Sequence, residues 1–435
     1  MNSVKKGKEG ENFVNEIAFN SFLKYWCYPS PEDERGDKKE ICDLLITFDD
    51  IVIIISVKNY TFKENHQRYF RNTIDKAVRQ IYGAERKIID SNRSIYIKHP
   101  DKAIEKIDKN KIKKVFRVIV NLGSGVAFYP FNQETKSNKF ISIFDKAAFE
   151  IIMKELDTIP DFIDYLEKRE KMFFDKQVIV LPNEKFDFSV DKEKQFGEYI
   201  NNNSSKNDNQ KVLLSGTEFD LLGQFLINNR NFPELIKSDE YKVIFLNLNG
   251  EWDSYLSRKQ VFLKKELDKY SYFIDFLVKD EILIHNSSYH EEIAKEFLSF
   301  NRFHRRIITK VFFDFYDFYN NNKTIDFARR YGDINGIGII FIYFDDDNCK
   351  QESQVDVFLE LALNSFSLYT KYINSKILLI ATAPDFQKFK FALLKDIKPF
   401  SKEKEEKIKK SIELLGWFTN QDKIFVDEKE YPIIK

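Results

Sequence analysis

The sequence predicts an α/β protein in two parts: an N-terminal mixed sheet flanked by helices, and a C-terminal α/β or α+β region. Three observations predict it. Two adjoining β-rich runs near residue 50 lie between stretches whose apolar residues recur at helical spacing. After residue 212, strand-like runs alternate with long helical ones. The chain of 435 residues exceeds one ordinary domain, and its 43% hydrophobic and 15% aromatic content supplies apolar area for sizeable cores.

Residues 5–25 read as a helix because Phe13, Val14, Ile17, Ala18 and Phe22 share one face. Residues 26–40, with Pro29, Pro31, Gly36 and many charges, read as a loop. Residues 41–48, the Asp49-Asp50 pair and residues 51–58 read as strand, tight turn, strand; the second strand is dense in β-branched side chains. Residues 70–92 form an amphipathic helix through Ile74, Ala77, Val78, Ile81, Ala84, Ile88 and Ile89. A buried-type strand over 115–122 follows. Gly123, Ser124 and Gly125 then turn the chain into another strand at 126–129, and helices follow at 145–155 and 160–172.

Residues 181–211 change character, and the polar, aperiodic stretch 201–209 reads as a linker or exposed loop. The expected division is therefore 1–180, a linker over 181–211, and 212–435. In the last part, strands are expected at 242–247, 337–344 and 376–382, and helical stretches at 258–279, 289–318 and 353–373. No fixed-period repeat is present.

Acidic and basic residues balance at 69 each, so no global field draws the chain to a polyanion. Nucleic-acid binding then requires local basic patches, and 109–117 and 301–310 are candidates; each also reads as a solvated helix face. Cys27, Cys42 and Cys349 are scattered without a CxxC, which excludes a zinc ribbon and fits unpaired thiols in a reducing compartment. The N-terminus lacks an apolar signal region, and the longest purely apolar run is 51–55. A cytoplasmic protein without membrane contact is expected.

The hairpin carries the chemistry. With Asp49-Asp50 as the loop, Phe48 faces Ile51 and Asp43 falls opposite Ser56, about 5 Å apart at Cβ. Strand alternation puts Ser56 and Lys58 on one face. A carboxylate, a hydroxyl and an ammonium thus gather among Leu, Ile and Val, where charges need a partner or a metal. An Asp43–Lys58 ion pair at the sheet edge satisfies that need. So does a Mg²⁺ site for phosphodiester hydrolysis, with the carboxylate as a hard ligand and the ammonium beside the attacking water.

The order Glu11, Asp43, Ser56-Val57-Lys58 and then the helix 70–92 resembles the PD-(D/E)xK nuclease superfamily, which includes restriction endonucleases. Within it, the wording is closest to bacterial proteins with an E-x-CD-L-L strand, a V-I-I-x-S-x-K strand and a Q-L-x-G-A helix. Here these are Glu40 to Leu45, Val52 to Lys58 and Gln80 to Ala84. A later L-D-T-I-x-D-F segment matches Leu156 to Phe162. The resemblance covers about the first 170 residues. It implies a restriction-endonuclease-like fold, a Mg²⁺- or Mn²⁺-dependent endonuclease acting on DNA, and a place in anti-phage defence alone, with a partner defence protein, or as a homo-oligomer. It assigns catalysis to Asp43, Lys58, Glu11, Ser56 and Gln80, and metal binding to Asp43, Glu11 and the Val57 carbonyl. Ser56 departs from the family's Glu or Asp, so a catalytically inactive DNA-binding or interaction module on the same fold stays open. A sensing, DNA-binding or assembly role stays open for 212–435.

Glu11 extends the apolar stripe of its helix toward the core, and Glu9 has a similar claim through Phe13. Gly83 costs its helix about 1 kcal/mol relative to Ala, and close packing on the sheet would account for it. Asp49 and Asp50 are turn residues, and Glu40 reads as an exposed strand-edge charge in preference to a second metal ligand. Residues 332–338 read as a turn, since no Walker lysine follows; Asp345, Asp346 and Asp347 read as a polar loop. His285 and His290 lack zinc-site spacing.

Overall fold

The computed structural model describes residues 3–22, 24–63, 65–124, 131–134, 139–174, 176–181, 194, 198, 210–238, 240–321, 327–344, 352–419 and 426–433. The strand expected at 126–129, the polar stretch 201–209, Asp345 to Asp347 and Cys349 lie outside these residues. The protein is mixed α/β and divides into two compact units, Met1–Val261 and Phe262–Lys435.

The first unit is built on a six-stranded mixed sheet. Its strands are β1 (Cys27–Pro29), β2 (Leu44–Phe48), β3 (Ile51–Lys58), β6 (Lys114–Asn121), β8 (Phe140–Asp145) and β7 (Asn132–Glu134), in that spatial order. β4 (Tyr96–Ile97) and β5 (Glu105–Lys106) form a separate short ladder. β1 was not expected; it extends the sheet from the segment read as loop and pairs antiparallel with β2. β2 and β3 form the expected hairpin, with Phe48 opposite Ile51 and Asp49 at a left-handed φ of 53°. β2 begins at Leu44 and not at residue 41, because the Asp43 carbonyl and the Ile41 amide bond to Ser30 and Pro31 of the preceding segment.

Helix α1 (Ser3–Phe22) packs against β1, β3 and helix α4 (Lys146–Glu155). Between β3 and β6 the chain crosses over through α2 (His66–Phe70) and α3 (Lys76–Glu85), with a π-turn before and after α3. Parallel strands require such a crossover. Ile74, Ala77, Ile81 and Ile88 of this helical segment pack with Val52, Ile54 and Ile119 of the sheet in one buried cluster. Gly83 is not on that side: a Cβ there meets nothing within 4 Å, so close packing on the sheet does not explain this glycine. The Leu156 to Phe162 segment is helix-start chemistry. Thr158 caps α5 (Ile159–Phe173) by accepting from the Asp161 amide.

The boundary expected over 181–211 falls inside the first unit. β9 (Gln177–Leu181), β10 (Lys211–Ser215) and β11 (Val243–Asn247) form one parallel sheet, with α6 (Glu218–Ile227) and α7 (Glu251–Ser257). Buried Arg169 of α5 pairs with Glu218 of α6, and Tyr165 donates to the same carboxylate at 2.6 Å. Such a buried charge cluster fixes α6 to α5, because separating either partner leaves a charge without water or counter-ion.

The second unit is a four-stranded sheet in the order β12 (Phe327–Ile334), β13 (Ile337–Phe344), β14 (Lys376–Thr382) and β15 (Phe389–Leu394). Its helices are α8 (Lys259–Asp268, entered from the first unit), α9 (Tyr272–Phe276), α10 (Ser288–Leu298), α11 (Arg302–Asn320), α12 (Glu352–Tyr369) and α13 (Lys402–Leu414). α12 buries its apolar side on β13 and β14. The glycine-rich stretch 332–338 is a hairpin turn, with Asn335 and Gly336 at φ 54° and 79°. The stretch expected as one helix over 289–318 is two, divided where Asn301 caps α11.

Most charges of the two basic segments are paired within the fold. Arg302 and Arg305 are buried and share Asp275, and Arg306 is buried against Asp268. In 109–117, Arg117 pairs with Glu85, Lys113 with Asp50 and Lys114 with Glu170. Among the described residues, no helix is long and apolar enough to cross a membrane.

Candidate active site

At the open end of the hairpin, Asp43 immediately precedes β2, and Ser56 and Lys58 close β3. Alternation along β3 puts Ser56 and Lys58 on the face that carries Val52 and Ile54, which is the face α3 covers. Asp43 and Ser56 are buried, at 7% and 1% exposure. The Asp43 Oδ2 accepts from Ser56 Oγ at 3.0 Å, from Lys58 Nζ at 3.2 Å and from the Val57 amide. Lys58 Nζ also donates to Ser56 Oγ at 2.9 Å and to the Val57 carbonyl at 2.7 Å. The ammonium therefore has three acceptors for its three protons. The Gln80 Oε1 of α3 stands 3.3 Å from Ser56 Oγ, at the edge of the same cluster. The hydroxyl has one proton to give, and the closer Asp43 receives it.

These residues lie in a cleft of about 650 Å³. Glu11 of α1 lines it, as do Glu40, Asn59 and the α3 residues Lys76, Arg79, Gln80 and Gly83. Gly10 lets α1 come close to the strand ends there: a Cβ at residue 10 would stand 2.9 Å from Leu122 and 3.2 Å from Asn59, so both side chains would have to shift. Glu9 is exposed and does not line the cleft.

Three carboxylates crowd one corner of the cleft. Burial raises the Glu11 carboxyl above its usual range, Asp43 adds to the effect, and Lys58 and Lys8 oppose it. Glu40 is pushed up to about 7 by burial of its carboxyl, by the charges of Asp43 and Glu11, and by a hydrogen bond to Asp43; Lys58 opposes the shift. Glu40 is exposed as a residue, yet its carboxyl reaches into the acidic corner.

The structure thus gathers Asp43, Ser56, Lys58, Glu11 and Gln80 around one cleft, as expected. It also brings in Glu40, which the sequence offered as a second metal ligand but favoured as an exposed strand-edge charge. The available signal was its place three residues before Asp43; what was missing was the turn at Pro31 that folds the segment back. The Val57 carbonyl, expected as a metal ligand, accepts from Lys58 here. Cys42, next to Asp43, is buried, and burial raises its thiol far above the reactive range. Stacked His285 and His290, in the second unit, have ring centroids 4.4 Å apart. Among the described residues, no three His, Cys, Asp or Glu side chains stand ready to hold a metal together. Comparison of the chain with protein-family models, curated proteins and solved structures gives no match.

Proposed function

We propose that the first unit is a metal-dependent nuclease of the PD-(D/E)xK kind, hydrolysing phosphodiester bonds in DNA. One observation carries this reading: Asp43, Ser56 and Lys58 are within hydrogen-bond reach of one another at the floor of a cleft that Glu11, Glu40 and Gln80 also line.

The donor set suits a hard divalent cation. Mg²⁺ usually takes one or two carboxylates and completes its shell with water and phosphate, so a ready-made three-ligand cage is not required. Asp43 raises the proton affinity of Glu11 and of Glu40, and Glu11 raises that of Glu40, so this corner favours a positive charge. Asp43, with Glu11 or Glu40, would hold the ion. When bound there, Mg²⁺ supplies Lewis-acid polarisation of the phosphate and a more acidic water. Lys58 holds its ammonium beside the Asp43 carboxylate, where it orients the attacking water or neutralises charge on the phosphate. Ser56 holds Asp43 without adding charge. Glu40 supplies the carboxylate that the family motif has at the position of Ser56.

The test is cleavage of plasmid and linear DNA by the full chain with Mg²⁺ or Mn²⁺, beside Asp43→Ala and Lys58→Ala. Metal-dependent cutting is expected. Asp43→Ala should reduce it to background, and Lys58→Ala by on the order of a hundredfold or more. A second reading, an inactive DNA-binding module, draws on the closed network in which Lys58 satisfies all three of its protons within the protein. DNA binding retained in all three proteins with no cutting under any metal selects that reading.

A further inference from the structure

We propose that the cleft-facing side of α3 is the track along which the sugar-phosphate backbone of a DNA strand reaches Asp43, with Lys76 and Arg79 neutralising its phosphates and Gly83 leaving room for it. The inference rests on the nuclease reading of this cleft and adds the path of the substrate.

Three independent features point to it. First, Asn72, Lys76, Arg79, Gln80, Gly83 and Lys87 all line the cleft. Their spacing of three or four residues makes one stripe along a helical segment. At 1.5 Å per residue the stripe runs roughly 22 Å, enough for several consecutive phosphates. It flanks the buried apolar stripe, whose Ile81 and Ala84 also line the cleft, and it leaves Lys76, Arg79 and Gly83 unburied by the fold.

Second, Lys76 and Arg79 are exposed and make no hydrogen bond or ion pair with any described residue. The arginines at 302, 305 and 306 and the charges at 113, 114 and 117 are consumed by carboxylates of the fold. Two unspent cations on one wall face an acidic floor at Asp43, Glu11 and Glu40. A phosphodiester with a divalent cation at its scissile phosphate complements both: the flanking phosphates meet the wall, and the metal meets the floor.

Third, Gly83 is an unfavourable residue in mid-helix with no packing reason to be glycine, because a Cβ there meets nothing within 4 Å. It lies on the cleft side, between Arg79 and Lys87, so the wall is lowest between two cations. Lys87 marks the rim, held by Asp37 at 2.7 Å and by the Lys39 carbonyl.

The experiment measures affinity of the full chain for a fluorescent DNA duplex and single strand in Ca²⁺, across several salt concentrations, with polyglutamate of matched charge as a control. The variants are the Lys76→Gln/Arg79→Gln pair, Gly83→Ala and Gly83→Leu. The pair should weaken DNA binding about tenfold or more and lower the slope of log affinity against log salt by roughly 2, the loss of two phosphate contacts. Gly83→Leu should weaken binding several-fold with the slope unchanged. Both Gly83 variants should melt at a higher temperature than the parent, which separates blocked access from a damaged fold. Unchanged affinity and slope in the pair, with the parent binding and cutting DNA, overturns the track and leaves the nuclease reading intact. Polyglutamate bound as tightly as DNA by the parent overturns the nucleic-acid assignment. A parent that neither binds nor cuts DNA overturns both.

Discussion

Ser56 donates its hydroxyl proton to the Asp43 carboxylate at 3.0 Å, although the backbone ladder between their strands ends one pair earlier, at Leu44 and Ile55. The two side chains meet because the register set by the Asp49-Asp50 turn continues past the last paired residues. The chain before Asp43 is then free to turn away and bring Glu40 back into the same corner. A neutral group at residue 56 and an acid at residue 40 are thus linked features of one site.

Ser56→Asp tests that link. Without metal, a second buried carboxylate beside Asp43 repels it, and the variant should lose roughly 1–3 kcal/mol in chemical denaturation. Saturating Mg²⁺ or Mn²⁺ should restore most of the loss and raise metal affinity above that of the parent. Equal destabilisation with and without metal would sink the metal-site reading.

Glu40 gives a pH dependence with a definite sign. Its carboxyl titrates near 7 in the folded protein and near the usual 4.5 when unfolded. The folded state therefore binds more protons between those values, and stability falls as pH rises from about 4.5 to about 7. Glu40→Gln should flatten that part of the profile and make the protein more stable than the parent at pH 8 without metal. The check is thermal melting across pH 4–8; identical slopes in parent and variant would contradict the placement of Glu40.

In the second unit, Arg306 joins Asp268 at 2.9 Å to the carbonyls of Lys429 and Glu430 at 2.9 and 3.2 Å. Arg306→Met leaves a buried carboxylate with less compensation and two carbonyls short of a donor. It should cost on the order of 3–5 kcal/mol and make residues 426–433 easier to cleave by protease. DNA cutting by the first unit should be affected far less than stability. A loss below 1 kcal/mol would show that water replaces the guanidinium.

By itself the sequence determined the hairpin, its register and the face shared by Ser56 and Lys58. Those follow from a two-residue turn and a period of two, both local properties of the chain. It also determined the strands at 337–344 and 376–382 and most of the helical segment expected over 70–92, which runs from His66 to Asp90. Only the tertiary structure decided which charges are free. Arg117 meets Glu85, and Arg306 meets Asp268, across 32 and 38 residues of sequence, which neutralises segments that read as basic patches. It decided in the same way that Glu40 joins Asp43, and that Lys76 and Arg79, unremarkable on a helix surface, face a cleft. Ion pairing and burial act through space, so a charge's neighbours in the sequence do not reveal whether it is neutralised or left for a ligand.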